Sequence, residues 1–304
     1  MKYIMIGTAC LMVIGIIAGT FIFEKEPNVK QPATPEINDP GPPPLQAVNE
    51  TTAPVGYSLQ QDQLQITYNQ GDEWVKVPIE TELLFEGEYS GNKDELIEDS
   101  YVLTKNNAAF LYGHDYSSAD KSIRLLYSKN NGETWEDALV TASSPPIRFR
   151  KVGFLNESVG YIILSADRTM SQEMITVYLT KDGGKTWKEM PRPDITRLIY
   201  DGGFIDEDTG FLSFGILNPE EPDLHVTQDG GQSWSQASIE IPDQYKRIFV
   251  IAEVPFKEDD QLAIYVTQGP NGDYEGGMVK GKFISEDQGR TWSFTEEVQP
   301  DETH

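Results

Sequence analysis

One short motif occurs five times in this chain and constrains its fold more than any other feature. The motif is Ser/Thr-x-Asp/Asn-x-Gly-x-x-Trp, and its copies begin at Thr67, Ser128, Thr180, Thr227 and Ser285. Its last position holds every tryptophan of the chain, at intervals of 61, 52, 47 and 58 residues: Trp74, Trp135, Trp187, Trp234 and Trp292. A period of about fifty residues indicates a repeat architecture.

The chemistry of this motif is that of a hairpin turn. An Asp or Asn side chain can bond to the backbone two residues on, and Gly supplies a positive φ. The five residues at the Asp/Asn position are Asn69, Asn130, Asp182, Asp229 and Asp287. We expect them to be structural, with a tryptophan packed beneath each turn and no metal site.

Short strands precede each motif. In one unit, residues 148–154, 161–164 and 174–180 read as strands, and Trp187 opens a fourth. Four short strands in about fifty residues are typical of a β-propeller blade. The sequence therefore predicts an all-β domain over residues 55–304, a β-propeller of about five four-stranded blades, with five to seven possible.

The motif resembles the Asp-box, or BNR, repeat of sialidases and related propellers. A second turn, Phe-x-Asp/Asn-x-x-x-Gly, begins at Phe154 and Phe204 and is similar to the photosystem II stability and assembly factor family. The resemblance covers essentially all of residues 55–304. It implies a propeller, but such propellers include glycosidases, lectin-like modules and assembly factors.

The N-terminal residues indicate where the domain works. Residues 3–23 carry no charge and as a helix would be about 31 Å long, so residues 1–23 are predicted to form a transmembrane signal-anchor. Lys2 favours a cytoplasmic N-terminus and an exported domain, and the alternative is secretion after signal cleavage. Residues 24–54 hold 8 of the 19 prolines and predict a disordered spacer.

The composition excludes several classes of function. The formal charge of −25 repels phosphate backbones and argues against a nucleic-acid partner. One Cys and three His exclude a disulfide framework and a Cys/His zinc cluster, and no cofactor is expected.

The loops predict which face binds. If the strands of a unit are lettered A to D from the axis outward, both recurrent turns, A–B and C–D, lie on one face. The variable B–C loops lie on the other face, which is the candidate binding face. Arg148, Arg197 and Arg247, 49 and 50 residues apart, begin strand A in three units. They suit an anionic ligand or partner, or else pair locally with residues such as Asp194 and Asp243.

Two functions are consistent with these features. The sequence favours a membrane-tethered, extracytoplasmic module that binds a protein, peptide or cell-surface glycan without catalysis. The alternative is a sialidase-like glycoside hydrolase, in which Tyr274 and Glu275 would supply the tyrosine nucleophile and its carboxylate. The resemblance to sialidases implies an early Arg-Ile-Pro motif, whereas this chain has no arginine before Arg124.

Overall fold

The computed structural model describes residues 55–60, 62–114 and 121–299. In these ranges the regular secondary structure is mostly β-strand, with short 3-10 turns at Thr81–Phe85, Asp243–Tyr245 and Tyr274–Gly276. The predicted anchor and spacer lie outside the described residues. None of the helices in the described ranges is long and apolar enough to cross a membrane.

The strands form five sheets that follow one another along the chain. The first contains β1 (Gly56–Gln60), β2 (Gln63–Thr67) and β3 (Val75–Lys76). The second contains β4 (Tyr101–Leu103), β5 (Ala108–His114), β6 (Lys121–Ser128) and β7 (Glu136–Ser144). The third contains β8 (Ile147–Phe154), β9 (Gly160–Ala166), β10 (Met174–Thr180) and β11 (Lys188–Glu189). The fourth contains β12 (Ile199–Phe204), β13 (Gly210–Phe214), β14 (Asp223–Thr227) and β15 (Ser235–Gln236). The fifth contains β16 (Ser238–Glu240), β17 (Ile251–Ala252), β18 (Phe256–Glu258), β19 (Gln261–Thr267), β20 (Lys280–Ser285) and β21 (Thr291–Val298).

The second, third and fourth sheets are four-stranded antiparallel meanders, so the architecture is all-β and propeller-like. The expected four strands are not present in the other two sheets. In the first, the motif turn joins β2 to β3, so β1 occupies position B and no described residue supplies strand A. In the fifth, strand A is split into β17 and β18 at Pro255, which has no N–H to donate, and β16 adds a parallel outer strand.

The core is divided into four apolar layers, each between two successive sheets. Alternation along the strands explains this division, because each sheet of the middle three has an apolar row on both faces. The first sheet has only one such row: Tyr57 and Leu64 pack towards the second sheet, whereas Ser58 and Gln65 lie on its other face. None of the four apolar layers in the described ranges joins the fifth sheet to the first.

The motif turns share one hydrogen-bond pattern. In the third sheet, Asp182 Oδ1 accepts from the Thr180 hydroxyl at 2.8 Å and from the Thr186 N–H at 3.0 Å. The Gly184 N–H donates to Thr180 Oγ1 at 2.9 Å, with Gly184 at φ +93°. In the other four turns the Ser or Thr hydroxyl likewise donates to Oδ1 of the motif residue: Asn69, Asn130, Asp229 and Asp287. These contacts hold the C–D connection in a tight turn.

The five tryptophans are not equally buried, although the sequence predicts one packed beneath each motif turn. Only Trp292 is fully buried, and the other four are partly exposed. The difference follows from β16, which pairs in parallel with β21 and sets Ile239 opposite Trp292. No comparable extra strand flanks the other motif turns in the described ranges.

The motif aspartates should make stability depend on acid. Hydrogen bonds from Thr186 lower the pKa of Asp182 from 3.8 to about 2, and a hydrogen bond from the Ser233 hydroxyl lowers the pKa of Asp229. Burial opposes the shift at Asp287, but hydrogen bonds from Thr291 outweigh it and lower that pKa too. Because the folded-state pKa values are depressed, this stabilisation is present above about pH 4 and is lost as the pH falls towards 2.

Replacing Asp182, Asp229 and Asp287 together with Asn tests this dependence. Asn keeps the turn, as Asn130 shows by donating from Nδ2 to Thr134 Oγ1 at 2.9 Å. We expect the thermal midpoint of the variant to fall less than that of the wild type between pH 4 and pH 2. Parallel declines of the two midpoints would contradict the assignment.

Candidate functional site

The sheet topology separates two faces. In the second, third and fourth sheets, both recurrent turns lie at one end of the strands, here called the turn face. The B–C connections 167–173, 215–222 and 268–279 lie at the other end and are here called the loop face. The B–C connection of the second sheet, 115–120, lies outside the described residues.

Each of these three loops presents a large exposed apolar side chain. Met170 is 91% exposed, and Leu217 and Met278 are also exposed. Only two other large apolar side chains of the described ranges are exposed, Leu139 and Tyr200. Exposed apolar side chains concentrated on one face are typical of an interaction surface.

Arg197 lies at the base of the loop face. Its Nη1 lies 2.7 Å from Asp223 Oδ2, its Nη2 lies 3.2 Å from His225 Nε2, and its guanidinium stacks over Phe214 at 5.8 Å. The side chain remains 55% exposed and borders a cleft of about 320 Å³ that also contains Leu217. The guanidinium is therefore oriented by its neighbours and still reachable from solvent.

The other two arginines have different surroundings. Arg247 is more exposed, pairs with Glu220 at 3.2 Å, and borders a cleft of about 760 Å³ that shares Glu221 with the cleft beside Arg197. Arg148 instead donates to the buried carboxylate of Glu173 at 2.6 and 2.7 Å. Two of the three in-phase arginines thus border adjoining clefts, and Arg148 is committed to an internal ion pair.

All three arginines pair with carboxylates, but among the described residues none of them pairs with Asp194 or Asp243. Asp243 pairs with Lys246 at 2.5 Å, and the ion-pair partners of the arginines are Glu173, Asp223 and Glu220. Two of these carboxylates, Glu173 and Asp223, stand at the start of strand C in the same sheet as their arginine. Pairing therefore runs across the sheet, which linear neighbours in the sequence do not reveal.

Tyr274 and Glu275 do not form the expected nucleophile and carboxylate pair. The Tyr274 hydroxyl donates to Glu297 on the outer strand β21 at 2.8 Å, and the ring packs against Tyr245. The hydrogen bond to Glu297 raises the pKa of Tyr274 to about 12, which disfavours the phenolate that a nucleophile needs. Glu275 is exposed, with a φ of +48°.

A charged cluster lies along the inner strands, and the sequence analysis did not predict it. Lys151 Nζ on β8 lies 3.0 Å from Asp99, just before β4, and 2.7 Å from Asp201 on β12. In the fifth sheet, Glu253 follows β17 and pairs with Lys280 at 2.7 Å. We call Asp99, Lys151, Asp201 and Glu253 the inner cluster. These residues are 52, 50 and 52 positions apart, so a search for charged residues that recur about every fifty positions would have identified them.

The electrostatics of the inner cluster follow from its burial. Desolvation opposes the charge on Lys151, but Asp201 and Asp99 outweigh it and raise the pKa of Lys151. Burial raises the pKa of Asp201, although Lys151 opposes that shift. Burial, with Glu253 and Asp201 nearby, also raises the pKa of Tyr200. The ion pairs of Lys151 join the inner strands of the second, third and fourth sheets. Asp201 and Glu253 place acidic groups near the exposed Tyr200.

The described residues contain no group of three or more His, Cys, Asp or Glu side chains placed to hold a metal ion. The loop face presents apolar side chains and guanidinium groups, which are suited to recognition. The inner cluster adds carboxyl groups that could exchange protons.

Comparisons with known proteins give no family. No protein-family model and no curated protein matches this sequence. A GH43_1 enzyme from Xanthomonas citri complexed with xylotriose is similar in structure at 10% identity and a TM-score of 0.36, over 71% of this chain and 74% of that chain. A family 117 glycoside hydrolase from Zobellia galactanivorans is similar at 10% identity and a TM-score of 0.40, over 66% and 68%. The GH74 xyloglucanase from Xanthomonas campestris is similar at 12% identity and a TM-score of 0.37, over 80% and 44%. Likeness at this level assigns neither an activity nor a residue role to this chain.

Proposed function

We propose that the chain is a membrane-tethered, extracytoplasmic binding or assembly module whose loop face holds a protein or peptide partner. The observation that carries the proposal is the exposed apolar side chain on each of three successive B–C loops, Met170, Leu217 and Met278. Apolar anchors surrounded by polar residues are the usual energetic centres of protein interfaces.

The arginines of the loop face would make binding selective for a partner with an acidic group. Arg197 is held by Asp223 and stacked on Phe214, so little side-chain entropy remains to be lost when it binds. Arg197 and Arg247 border adjoining clefts, and a planar guanidinium can take a carboxylate through two parallel hydrogen bonds. The partner we propose therefore carries an acidic group near an apolar segment.

The same proposal includes the family of the domain and its location outside the cytoplasm. Five turns with one hydrogen-bond pattern support membership of the BNR/Asp-box propellers, similar to the photosystem II stability and assembly factors. Residues 3–23 would anchor the chain, 24–54 would act as the spacer, and 55–304 would be exported. Protease added to intact cells should then remove the domain, and complete protection of the domain would contradict this location.

A triple variant in which Ser replaces Met170, Leu217 and Met278 is expected to bind the partner at least about tenfold more weakly, because fully burying a Leu or Met side chain contributes about 1.5–3 kcal/mol. Binding would be measured by cross-linking in intact cells, followed by affinity capture of the full chain and quantitative mass spectrometry. Leu139→Ser is the matched control, because Leu139 is also exposed and apolar but lies on the outer strand β7.

The proposal requires a set of captured proteins that depends on the three loop residues. If the triple variant captures every protein that the wild type captures, in equal amount, the loop face is not the binding surface. Selective loss with the triple variant, and none with Leu139→Ser, supports it.

A glycoside hydrolase is the second candidate, and the inner cluster is the observation that favours it. A carboxyl group of raised pKa with further carboxylates nearby is the arrangement that supplies a general acid and its partner. The glycoside hydrolases among the similar structures are closer to this candidate, but at that similarity they carry no activity over to this chain. The sialidase-like form with a Tyr274 nucleophile is disfavoured by the bond to Glu297.

Aryl glycosides of xylose, arabinose and sialic acid test this candidate directly. Release of the aryl alcohol by the full chain, abolished by Asp201→Asn and retained in Tyr274→Phe, would replace the binding proposal with catalysis at the inner cluster. Turnover that is equal in wild type and Asp201→Asn would exclude the inner cluster as its source.

A further inference from the structure

A second candidate site lies on the turn face, between the second and third sheets. A cleft of about 640 Å³ opens there, with walls formed by the A–B turns and motif turns of both sheets. Its floor includes Ala108, Ala109, Tyr127 and Phe154. This volume lies within the range of small-molecule sites in proteins, which is roughly 300–1,000 Å³.

The neighbouring interfaces differ from this one in the contacts of the motif turn, although the interface between the third and fourth sheets also has a cleft, of about 400 Å³. Between the third and fourth sheets, Lys181 of the motif turn pairs with Glu207 of the next A–B turn at 3.1 Å. Between the fourth and fifth sheets, Gln228 donates to the Asp287 and Gln288 carbonyls. Each interface is thus bridged by the second residue of the motif.

The equivalent bridge is missing between the second and third sheets. Lys129 and Glu157 occupy the positions of Lys181 and Glu207, yet the described residues include no ion pair between them. The Lys129 ammonium instead lies over the Tyr127 ring at 5.5 Å and against Gly183, where an added Cβ would meet it at 2.3 Å. Lys129 and Glu157 therefore line the cleft without pairing across it.

The lining offers unused polar groups of both kinds. Among the described residues, the side-chain amides of Asn106 and Asn107 have no hydrogen-bond partner. Asn156 accepts two backbone N–H groups through Oδ1, which leaves its Nδ2 to donate into the cleft. A planar amide presents a donor and an acceptor side by side, which suits adjacent hydroxyl groups.

The charges of the cleft are balanced. Lys129 and Lys185 are opposed by Glu157 and by Asp182, two carboxylates that are ionised at neutral pH. A net anion or cation therefore gains no advantage there. The apolar floor, with the partly exposed Phe154 ring, suits the C–H face of a sugar ring.

We infer that this cleft, here called the inter-sheet cleft, binds a neutral oligosaccharide. The site is distinct from the loop face, because it lies at the opposite ends of the strands. A chain that holds a protein partner on one face and a glycan on the other would fix that partner beside a polysaccharide.

The test uses the full chain, purified in a detergent without a sugar headgroup, and saturation-transfer NMR. The probes are the β-1,4-linked tetrasaccharides of glucose, xylose and N-acetylglucosamine, with tetragalacturonate as the anionic comparison. We expect transfer to at least one neutral probe, and a loss of affinity of about tenfold or more in Ser158→Trp, which fills the cleft from its rim.

The matched control is Asp208→Trp. Ser158 and Asp208 are exposed at the same position of successive A–B turns, and their carbonyls accept from Gly183 and Gly230 at 2.7 and 2.9 Å. Asp208→Trp should therefore leave neutral-probe binding unchanged. Asn107→Ala gives a second readout if Ser158→Trp is poorly folded.

Three results would overturn the inference. They are no transfer to any neutral probe at about 10 mM, binding of tetragalacturonate alone, and neutral-probe binding that survives both Ser158→Trp and Asn107→Ala.

Discussion

Replacing Trp292 with Ala is expected to lower the free energy of unfolding by about 3–5 kcal/mol. The ring is fully buried between the fourth and fifth sheets, its Nε1 donates to the Gly289 carbonyl at 2.9 Å, and Phe211 packs against it edge-on at 6.2 Å. Removing it leaves a cavity whose walls are held by strands on both sides. Urea unfolding of the variant, followed by circular dichroism, measures the effect.

Trp187→Ala is the matched control for this substitution. Trp187 makes the same bond to its motif glycine, from Nε1 to the Gly184 carbonyl at 3.1 Å, and contacts Phe154 at 6.1 Å. It is only partly buried, so we expect a smaller loss of about 1–2 kcal/mol. Equal losses for the two variants would mean that the added strand β16 is not what makes Trp292 different.

Replacing Lys151 with Met is expected to cost about 2–4 kcal/mol. Breaking a buried ion pair costs about 3–5 kcal/mol, and the partial exposure of Asp99 and Asp201 reduces this figure. Without the ammonium, the pKa of Asp201 rises further above its unfolded value. The deficit should therefore be largest at pH 7 and should narrow as the pH falls and Asp201 takes up a proton.

Two further variants separate this effect from a loss of packing. Adding Asp201→Asn to Lys151→Met should recover part of the lost stability, because it removes the unpaired carboxylate. Lys181→Met removes the exposed pair with Glu207 and should change stability by about 1 kcal/mol or less. A deficit that is independent of pH and not recovered by Asp201→Asn would contradict the role given to Lys151.

The turn motif and the strand patterns before it were enough to predict the order of strands in the second, third and fourth sheets, but not the make-up of the first and fifth. The motif fixes where strand C ends and strand D begins, and the local hydrogen bonds of Asp182 and Gly184 need no distant partner. The burial of Trp292 could not be predicted in this way. It depends on β16, which crosses from the fourth sheet to the fifth.

For the candidate sites as well, the sequence predicted the positions of residues but not their contacts with distant strands. The spacing of about fifty residues was enough to identify Arg197 and Arg247 as candidates, because residues in equivalent positions of successive sheets lie on the same face. It did not separate them from Arg148, whose partner Glu173 lies 25 residues away across a sheet. The sequence predicted binding at the loop face only, and it did not predict the cleft on the turn face that Lys129 and Glu157 line without pairing. Whether two facing residues pair depends on three-dimensional packing, which a one-dimensional pattern does not contain.

Site-specific photo-cross-linking in intact cells tests the role of the loop face most directly. A photoreactive amino acid would replace Leu217 on the loop face and, in a second strain, Leu139 on β7; both side chains are exposed. The account predicts a discrete cross-linked partner from position 217 that Met170→Ser with Met278→Ser diminishes, and none from position 139. Cross-links of equal yield from both positions, or from position 139 alone, would contradict it.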